Sequence, residues 1–549
     1  MATEVEYMGG VSRRTLLAGA ASLSGSALVA GAATGAAQAA PTGPARSGAA
    51  EPAPVVVEGD IRYPALTRGQ NQRFASRPES IHLPGTTDQA VGAVQDAVRA
   101  GKRISVRGGG HCYEDFVDHP EVQAIVDLSR MADIGYDAGM GAFYAGGGAR
   151  LGDVYSTLFK GWGVTLPGGS CPSVGVGGHV PGGGYGNLSR RHGLIVDHLH
   201  AVEVVVVDAE GTARAVIATR DPADPNHDLW WAHTGGGGGS FGVVTRYFFR
   251  TPGATGEPSR LLPAPPSTLF VAWLRWPWDK LDERSFSRLV RNYGTWCEEN
   301  SAPDSPYRGL MARLDPEARA AGQVLLSVQM DTSVPGAGKL LDDFIAAIND
   351  GVGVDVEFYQ EKHELPFEQG TGWPGFAGGN PTERYKYKSS YHRKGLTDDQ
   401  IGALYRVLAE TDYDHPGYVL TIATHGCQVN AVAPDATAQP HRDSVLKLLW
   451  GTTWANPSED AKHIDYHRNV YRSVYAGTGG VSVPNDVTDG CFINYADGDL
   501  ADPEWNSSGV PWHELYFKGN YPRLQQAKAA YDPQDIFRHA QSIRLPGQQ

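Results

Sequence analysis

The chain has 549 residues, 41% of them hydrophobic, with 12 Trp and a formal net charge of −14 at neutral pH. That length predicts two or more lobes and a core that needs no disulfide scaffold; the acidic balance, without a basic block, argues against a nucleic-acid-binding surface. The 69 glycines are about 13% of the chain, against an ordinary usage of roughly 7%. A chain this apolar is not disordered, so its glycines mark places where backbone lies close against something. The five Cys are too few and too irregularly spaced for a disulfide framework or a CxxC zinc site.

In chain order, Ser12-Arg13-Arg14 precedes an Ala/Gly/Leu/Ser run that ends at Ala37-Gln38-Ala39, the pattern of a twin-arginine export signal over residues 1–39. A membrane span fits less well, because the run is rich in Gly, Ala and Ser and no comparable apolar stretch follows. Residues 40–58, rich in Pro and Ala, read as a flexible leader outside the fold. A short strand is predicted at Ser80–Pro84, a helix over Thr87–Arg99 closed by Gly101, and strands at Arg103–Val106 and Ala124–Leu128. Leu199–Val207 is a continuous Val-rich run that suits a strand buried on both faces. After Pro252 the texture changes: long strands are predicted at Thr268–Trp276, Gln323–Met330, Tyr385–Tyr391 and Tyr418–His425, with helices over Leu340–Ile348 and Asp398–Leu408. The tail from Tyr521 to His539 returns to helix, broken at Asp532-Pro533. The fold class is α+β with two lobes: residues 59–255, residues 256–490, and a C-terminal segment 491–549.

Two glycine-rich segments carry the chemistry. Val106-Arg107-Gly108-Gly109-Gly110-His111 follows a strand, so its glycines can turn sharply and present backbone N–H groups to an anion. Such turns are also common without a ligand, and a lone His beside one is more often structural than reactive. The second segment runs from Pro167 through Gly169-Ser170-Cys171-Pro172, Gly175, Gly177-Gly178-His179 and Gly183 to Tyr185-Gly186. Glycine this dense cannot pack a core, and close approach to a large planar or phosphorylated ligand is what repays its entropic cost. A Rossmann fingerprint fails on context, since Pro and Cys stand where a strand belongs and Pro181 interrupts the required helix. His111, Cys112, Cys171 and His179 lack the spacing of a zinc site, and no metal is expected.

Taken together, Arg107–His111, Gly169–Pro172, Gly177–His179, Gly182–Gly186, the string His227–Gly239, Asn494–Asp497, Asn520–Leu524 and Asp532–Phe537 resemble the berberine-bridge-enzyme-like FAD-linked oxidases, which have the vanillyl-alcohol-oxidase type of fold. The resemblance spans about Arg62 to Leu545 and is strongest toward secreted actinobacterial-type members. It implies a two-lobed flavoprotein: a split FAD-binding domain of two α/β subdomains (residues 59–255, rejoined by 491–549) and an antiparallel-sheet substrate domain flanked by helices (256–490). It further implies a FAD attached through two covalent bonds, at His111 and Cys171. Around that cofactor it assigns Arg107, Gly108, Gly109 and Gly110 to the pyrophosphate and Gly177, Gly178, Gly183 and Gly186 to the flavin and ribityl chain, with Gly175 and His179 as further cofactor-binding residues. Asp197, Gly239 and Val243 fall to the adenosine half, with Asn520 and Tyr521 in the C-terminal motif.

The same resemblance places tyrosines as the base that removes a hydroxyl proton as hydride leaves for the flavin: Tyr495, Tyr185 and, in approximate position only, Tyr418. A free phenol titrates near 10, so a standing phenolate at pH 7 costs about 4 kcal/mol; proton removal concerted with hydride loss, helped by a hydrogen bond between two phenols, is the expectation. The period of two along Tyr385–Tyr391 sets tyrosines and Ser389 on one face and lysines on the other, either as an aromatic floor for a substrate or as a packed sheet face. The resulting reading is an exported FAD oxidase of alcohol groups on a sugar or a glycosylated or polycyclic metabolite, reoxidised by O2 to H2O2. A secreted oligosaccharide oxidase and a catalytically silent flavin-binding protein are its rivals.

Overall fold

The computed structural model describes residues 51–372 and 382–548. The helix Thr87–Arg99 forms where predicted, for local reasons: the Thr86 hydroxyl accepts the Gln89 N–H at 3.2 Å, Asp88 occupies the first turn and Arg99 the last. Gly101, at φ +63°, then turns the chain as a residue with a side chain rarely can.

Strands β1 (Val55–Val56), β2 (Ser80–His82), β3 (Ile104–Arg107) and β4 (Ala124–Asp127) form a sheet in the order β1-β2-β4-β3. β1 lies inside the segment read as leader; that reading is corrected, because Val56 is fully buried and pairs antiparallel with Ile81. The export signal lies outside the described residues. Strands β5 (Ile134–Asp137), β6 (Ala142–Gly146), β7 (Leu199–Val207), β8 (Ala213–Thr219) and β9 (Val243–Phe249) form a second sheet, antiparallel, with the Val-rich β7 between β9 and β8.

The third sheet holds β10 (Thr268–Pro277), β11 (Leu310–Pro316), β12 (Gln323–Asp331), β13 (Glu357–Pro366), β14 (Arg384–His392), β15 (Tyr418–Thr424) and β16 (Leu446–Trp454), in the order β13-β10-β12-β11-β15-β16-β14. Its neighbouring strands pair antiparallel, and the register aligns one row of residues on one face: Tyr391, Lys447, Ala423, Arg313, Ser327 and Trp273. The opposite face takes the even-numbered residues of β15, and the helix Asp460–Val474 packs there against β14 and β16. Helices Glu283–Glu299, Ala337–Asn349 and Asp398–Leu408 complete that layer. A single apolar cluster continues from Phe143 and Val202 in the second sheet to Leu326 and Trp450 in the third.

The tail helix ends at Tyr531, not near His539. Pro533 cannot continue it and Asp535 takes φ +53°; beyond them Phe537 bridges Ile104 of β3 and the Lys528 ammonium donates to Ser240 O at 2.8 Å. The chain therefore closes back onto its first lobe. No described helix is long and apolar enough to cross a membrane.

Candidate active site

The glycine segments, the cavity-facing row of the third sheet and the segment 492–496 enclose a cavity of about 360 Å³, a size common for ligand pockets. One end is walled by backbone. A Cβ on Gly109 would run into the backbone of Gly175, one on Gly175 into that of Gly109, and one on Gly186 into Gly168 O. Here glycine is required by protein against protein, so the expectation that only a ligand repays the density is corrected for these positions. Gly178 and Gly238 differ: a Cβ at Gly178 meets no atom within 4 Å and one at Gly238 none nearer than 3.8 Å, although both line the cavity. Among the described residues no protein acceptor takes the N–H groups of Gly109, Gly110 or His111. Arg107 also reaches the cavity, but its guanidinium pairs with Asp118 at 2.5 Å, lies 3.7 Å from Asp127 and donates to Leu66 O. Its charge is neutralised within the fold and it acts as a bridge there.

On the same wall, His111 and Cys171 converge on one hydroxyl. Ser173 Oγ lies 2.9 Å from His111 Nε2 and 3.4 Å from Cys171 Sγ. Burial, with the charge of Arg150, lowers His111 to about 4, so its imidazole is neutral and nucleophilic at neutral pH. Burial pushes the neighbouring Cys112 up to about 12, which keeps it a thiol and removes it as a competitor. His179 is a joint between segments: its Nε2 accepts the Gly169 N–H at 2.9 Å and its carbonyl accepts Asn494 Nδ2 at 2.8 Å.

The other end is walled by side chains. Tyr495 stacks on Tyr113 at 5.4 Å, and the Lys447 ammonium lies 3.7 Å from the centroid of the Tyr495 ring. That ammonium is also 4.4 Å from the Phe492 ring and 5.2 Å from Tyr185, and among the described residues no carboxylate pairs with it. Burial raises Tyr495 to about 12 while the Arg313 guanidinium pulls it back; burial alone lowers Lys447 well below the ordinary lysine value. Tyr185 also lines the cavity, but its hydroxyl donates to Thr424 O at 2.5 Å and makes no hydrogen bond to Tyr495, contrary to the expected phenol pair. Tyr385 and Tyr387 pack against Tyr113 at 5.6 and 4.6 Å behind the cavity wall, so of the two readings of that strand the packed sheet face is the one formed.

Six further candidates lie off the cavity. Tyr418 is fully buried on the opposite face of β15, against Tyr466 and His467; the parity that brings Thr421 and Ala423 to the cavity turns Tyr418 away from it. Asp197 accepts from Leu194 N at 2.7 Å and pairs with Arg442, also at 2.7 Å. Gly183 sits in a turn at φ +110°, and Val243 packs in the core with Val205 and Val207. Asn520 donates to Pro434 O at 2.8 Å, and Tyr521 stacks on His513 at 4.0 Å. Each holds a loop or core in place. Reading the sequence alone missed Lys447, Arg313 and Tyr113. A solitary Lys inside the apolar run Leu446–Trp450 was the one signal available for the first.

A family model for an FAD binding domain matches residues 78–216, and one described as berberine and berberine like matches residues 491–544. Over 543 residues the chain is 49% identical to aclacinomycin-N/aclacinomycin-A oxidase of Streptomyces galilaeus, covering 98% of this chain and 99% of that protein. The chain belongs to the berberine-bridge-like family of FAD-linked oxidases. Another relative in the comparison is hexose oxidase of Chondrus crispus, 31% identical and covering 88% of this chain and 93% of that one. Among solved structures, a glycopeptide hexose oxidase complexed with teicoplanin matches at 49% identity and TM-score 0.86, covering 90% of this chain and 99% of that one. A more distant one is a glucooligosaccharide oxidase from Acremonium strictum described by its 6-S-cysteinyl, 8α-N1-histidyl FAD; it matches at 25% identity and TM-score 0.74, covering 90% and 97%. The berberine-bridge-like fold thus accounts for the two lobes and for the closure of the chain by residues 491–544.

Proposed function

We propose that this protein oxidises an alcohol group on a sugar or on a glycosylated or polycyclic natural product, with a FAD bound covalently at His111 and Cys171. The observation that carries the reading is the placement of both side chains on the Ser173 hydroxyl, in the cavity whose other end holds Tyr495 and Lys447. The residues fit the cofactor. Gly178 and Gly238 leave room along the cavity wall, the N–H groups of Gly109 to His111 are available to a pyrophosphate, and Ser173 holds His111 Nε2 so that Nδ1 is free for attachment. Support also comes from the relatives named for aclacinomycins, hexose and a glycopeptide.

FAD bound there would accept hydride from the carbinol carbon. Tyr495 takes the hydroxyl proton. It does so as the phenolate, after releasing its own proton to solvent; burial makes the phenol the resting form, and the Arg313 guanidinium, with Lys447 over the ring when its amine is protonated, stabilises the phenolate. Tyr185, whose hydroxyl donates to Thr424 O, shapes the same end of the cavity. Dioxygen would be the oxidant that returns the cofactor to its oxidised form, with H2O2 as the product, and the Arg13-Arg14 signal would export the folded holoenzyme.

Acid precipitation of purified protein tests the attachment: the pellet should stay yellow, with distinct colour changes in His111→Ala and Cys171→Ala. A supernatant that takes all the flavin overturns it. Peroxide release tests the chemistry. Glycosylated natural products should be turned over and free cello- or chito-oligosaccharides should not; the reverse would make it an oligosaccharide oxidase.

A further inference from the structure

Along β14 the period of two separates two kinds of side chain. Tyr385 and Tyr387 face Tyr113, whereas Lys386 and Lys388 turn the other way into a buried ion cluster. Lys386 is 3% exposed; its ammonium pairs with Glu114 and, at 2.8 Å, with Asp497 Oδ1. Lys388 bonds Asp497 Oδ2 and Asp499 Oδ2, each at 2.7 Å, and Arg468 closes the cluster on Asp499 at 2.7 Å. Three cations thus face three carboxylates.

The chain positions of these charges coincide with those of the stacked phenols. Glu114 adjoins Tyr113, Lys386 lies between Tyr385 and Tyr387, and Asp497 follows Tyr495 by two residues. The three segments come from far apart in the sequence, and Lys386 bonds to both of the others, as does its partner Glu114. Further bonds fix the same turn: Gly498 N donates to Glu114 Oε1 at 3.2 Å and Gln541 Nε2 to Asp497 O at 2.7 Å. Neither lysine nor any of the three carboxylates lines the cavity, so the cluster touches no reactant. Buried ion pairs are poor stabilisers, because the desolvation of the charges offsets most of their attraction; fixing the register of the segments they join is the better-attested use. A base must be held within fractions of an ångström of its proton, which is the demand such a tether meets.

We propose that Lys386 is a positioning residue for Tyr495: through Glu114 and Asp497 it fixes the stack of Tyr113, Tyr387 and Tyr495 from behind. This rests on the reading of Tyr495 as the proton acceptor. The decisive variant is the double Lys386→Met/Glu114→Gln, which removes the tether and leaves two cations against two carboxylates. It is compared with Lys386→Met, which also strands a charge, and with the conservative Lys386→Arg. In the double variant we expect wild-type melting temperature and flavin content, an altered near-ultraviolet circular dichroism signal from the stacked phenols, and anaerobic flavin bleaching slowed 10- to 100-fold with little change in KM. Its pH-rate limb should move upward, and Lys386→Arg should recover most of the rate. A double variant with wild-type bleaching rate and wild-type dichroism overturns the proposal. If the wild type bleaches with no alcohol, the proposed function fails on its own, and the dichroism still decides whether Lys386 fixes the stack.

Discussion

The two ends of the cavity are built by opposite means. At the glycine end, backbone lies on backbone and the side chains of His111 and Cys171 are brought to one hydroxyl by two tight loops. At the phenol end each reacting group stands on a regular element or on a turn, and the wall is assembled from β11, β15, β16 and the segment 492–496. The comparison teaches that the proposed cofactor attachment would be a local property of two loops, whereas the proposed proton removal would depend on long-range register.

The largest effect that would test this division lies at the phenol end. Tyr495→Phe should keep the flavin and the fold yet slow flavin reduction by about 10²- to 10⁴-fold, the usual range for losing a general base. Burial favours the neutral amine of Lys447, so Lys447→Met is expected to cost at most about 30-fold, the equivalent of about 2 kcal/mol for a desolvated cation over an aromatic face. Its pH dependence carries a sign. The rate rises as Tyr495 gives up its proton, and without the cation the phenolate costs more, so the rising limb should move to higher pH. Rapid-mixing flavin reduction across pH checks both. A Lys447→Met profile that moves downward would show that the ammonium does not stabilise the phenolate.

At the glycine end the contrast is between two positions three residues apart. Gly175→Ala places a methyl against the backbone of Gly109, where nothing flexible can yield, and should lower the yield of folded protein with or without cofactor. Gly178→Ala meets no protein atom within 4 Å; it should fold normally and lose flavin content alone. Thermal melting and flavin-to-protein ratio separate the two. Equal behaviour in both would mean that the glycines do not divide into a packing set and a ligand set.

These contrasts also explain what was legible in the sequence. The helix Thr87–Arg99, the strand Leu199–Val207 and the parity of β14 follow from caps and periods within a dozen residues, and the structure forms each of them. Gly108–His111 and Gly169–His179 were recognisable as two motifs because each is contiguous in the sequence. Lys447 and Arg313 were not: each is one polar residue in an ordinary strand, and only the pairing of β16, β15 and β11 sets them in one row. β1 escaped because two residues between Pro54 and Val57 carry no periodicity, although Val56 is fully buried. Asp197 and Asn520 looked like ligand residues because their surroundings are family motifs, while their hydrogen bonds go to the protein's own loops.

The smallest expected effect follows from the strand parity that separates Tyr418 from the cavity. Its side chain shares a face with Leu420 and Ile422, buried under the helix Asp460–Val474, and its hydroxyl has no hydrogen-bond partner. An unpartnered buried hydroxyl contributes desolvation cost without return, so Tyr418→Phe should leave stability unchanged or raise it by up to about 1 kcal/mol. Flavin reduction should stay within about twofold of wild type, because a sheet separates the ring from the reacting groups. A Tyr418→Phe variant that melts normally but loses rate as Tyr495→Phe does would require the strand to present its even-numbered residues to the cavity. Thr421 and Ala423 would then leave it, and the register that places Lys447 beside Tyr495 would be wrong by one residue.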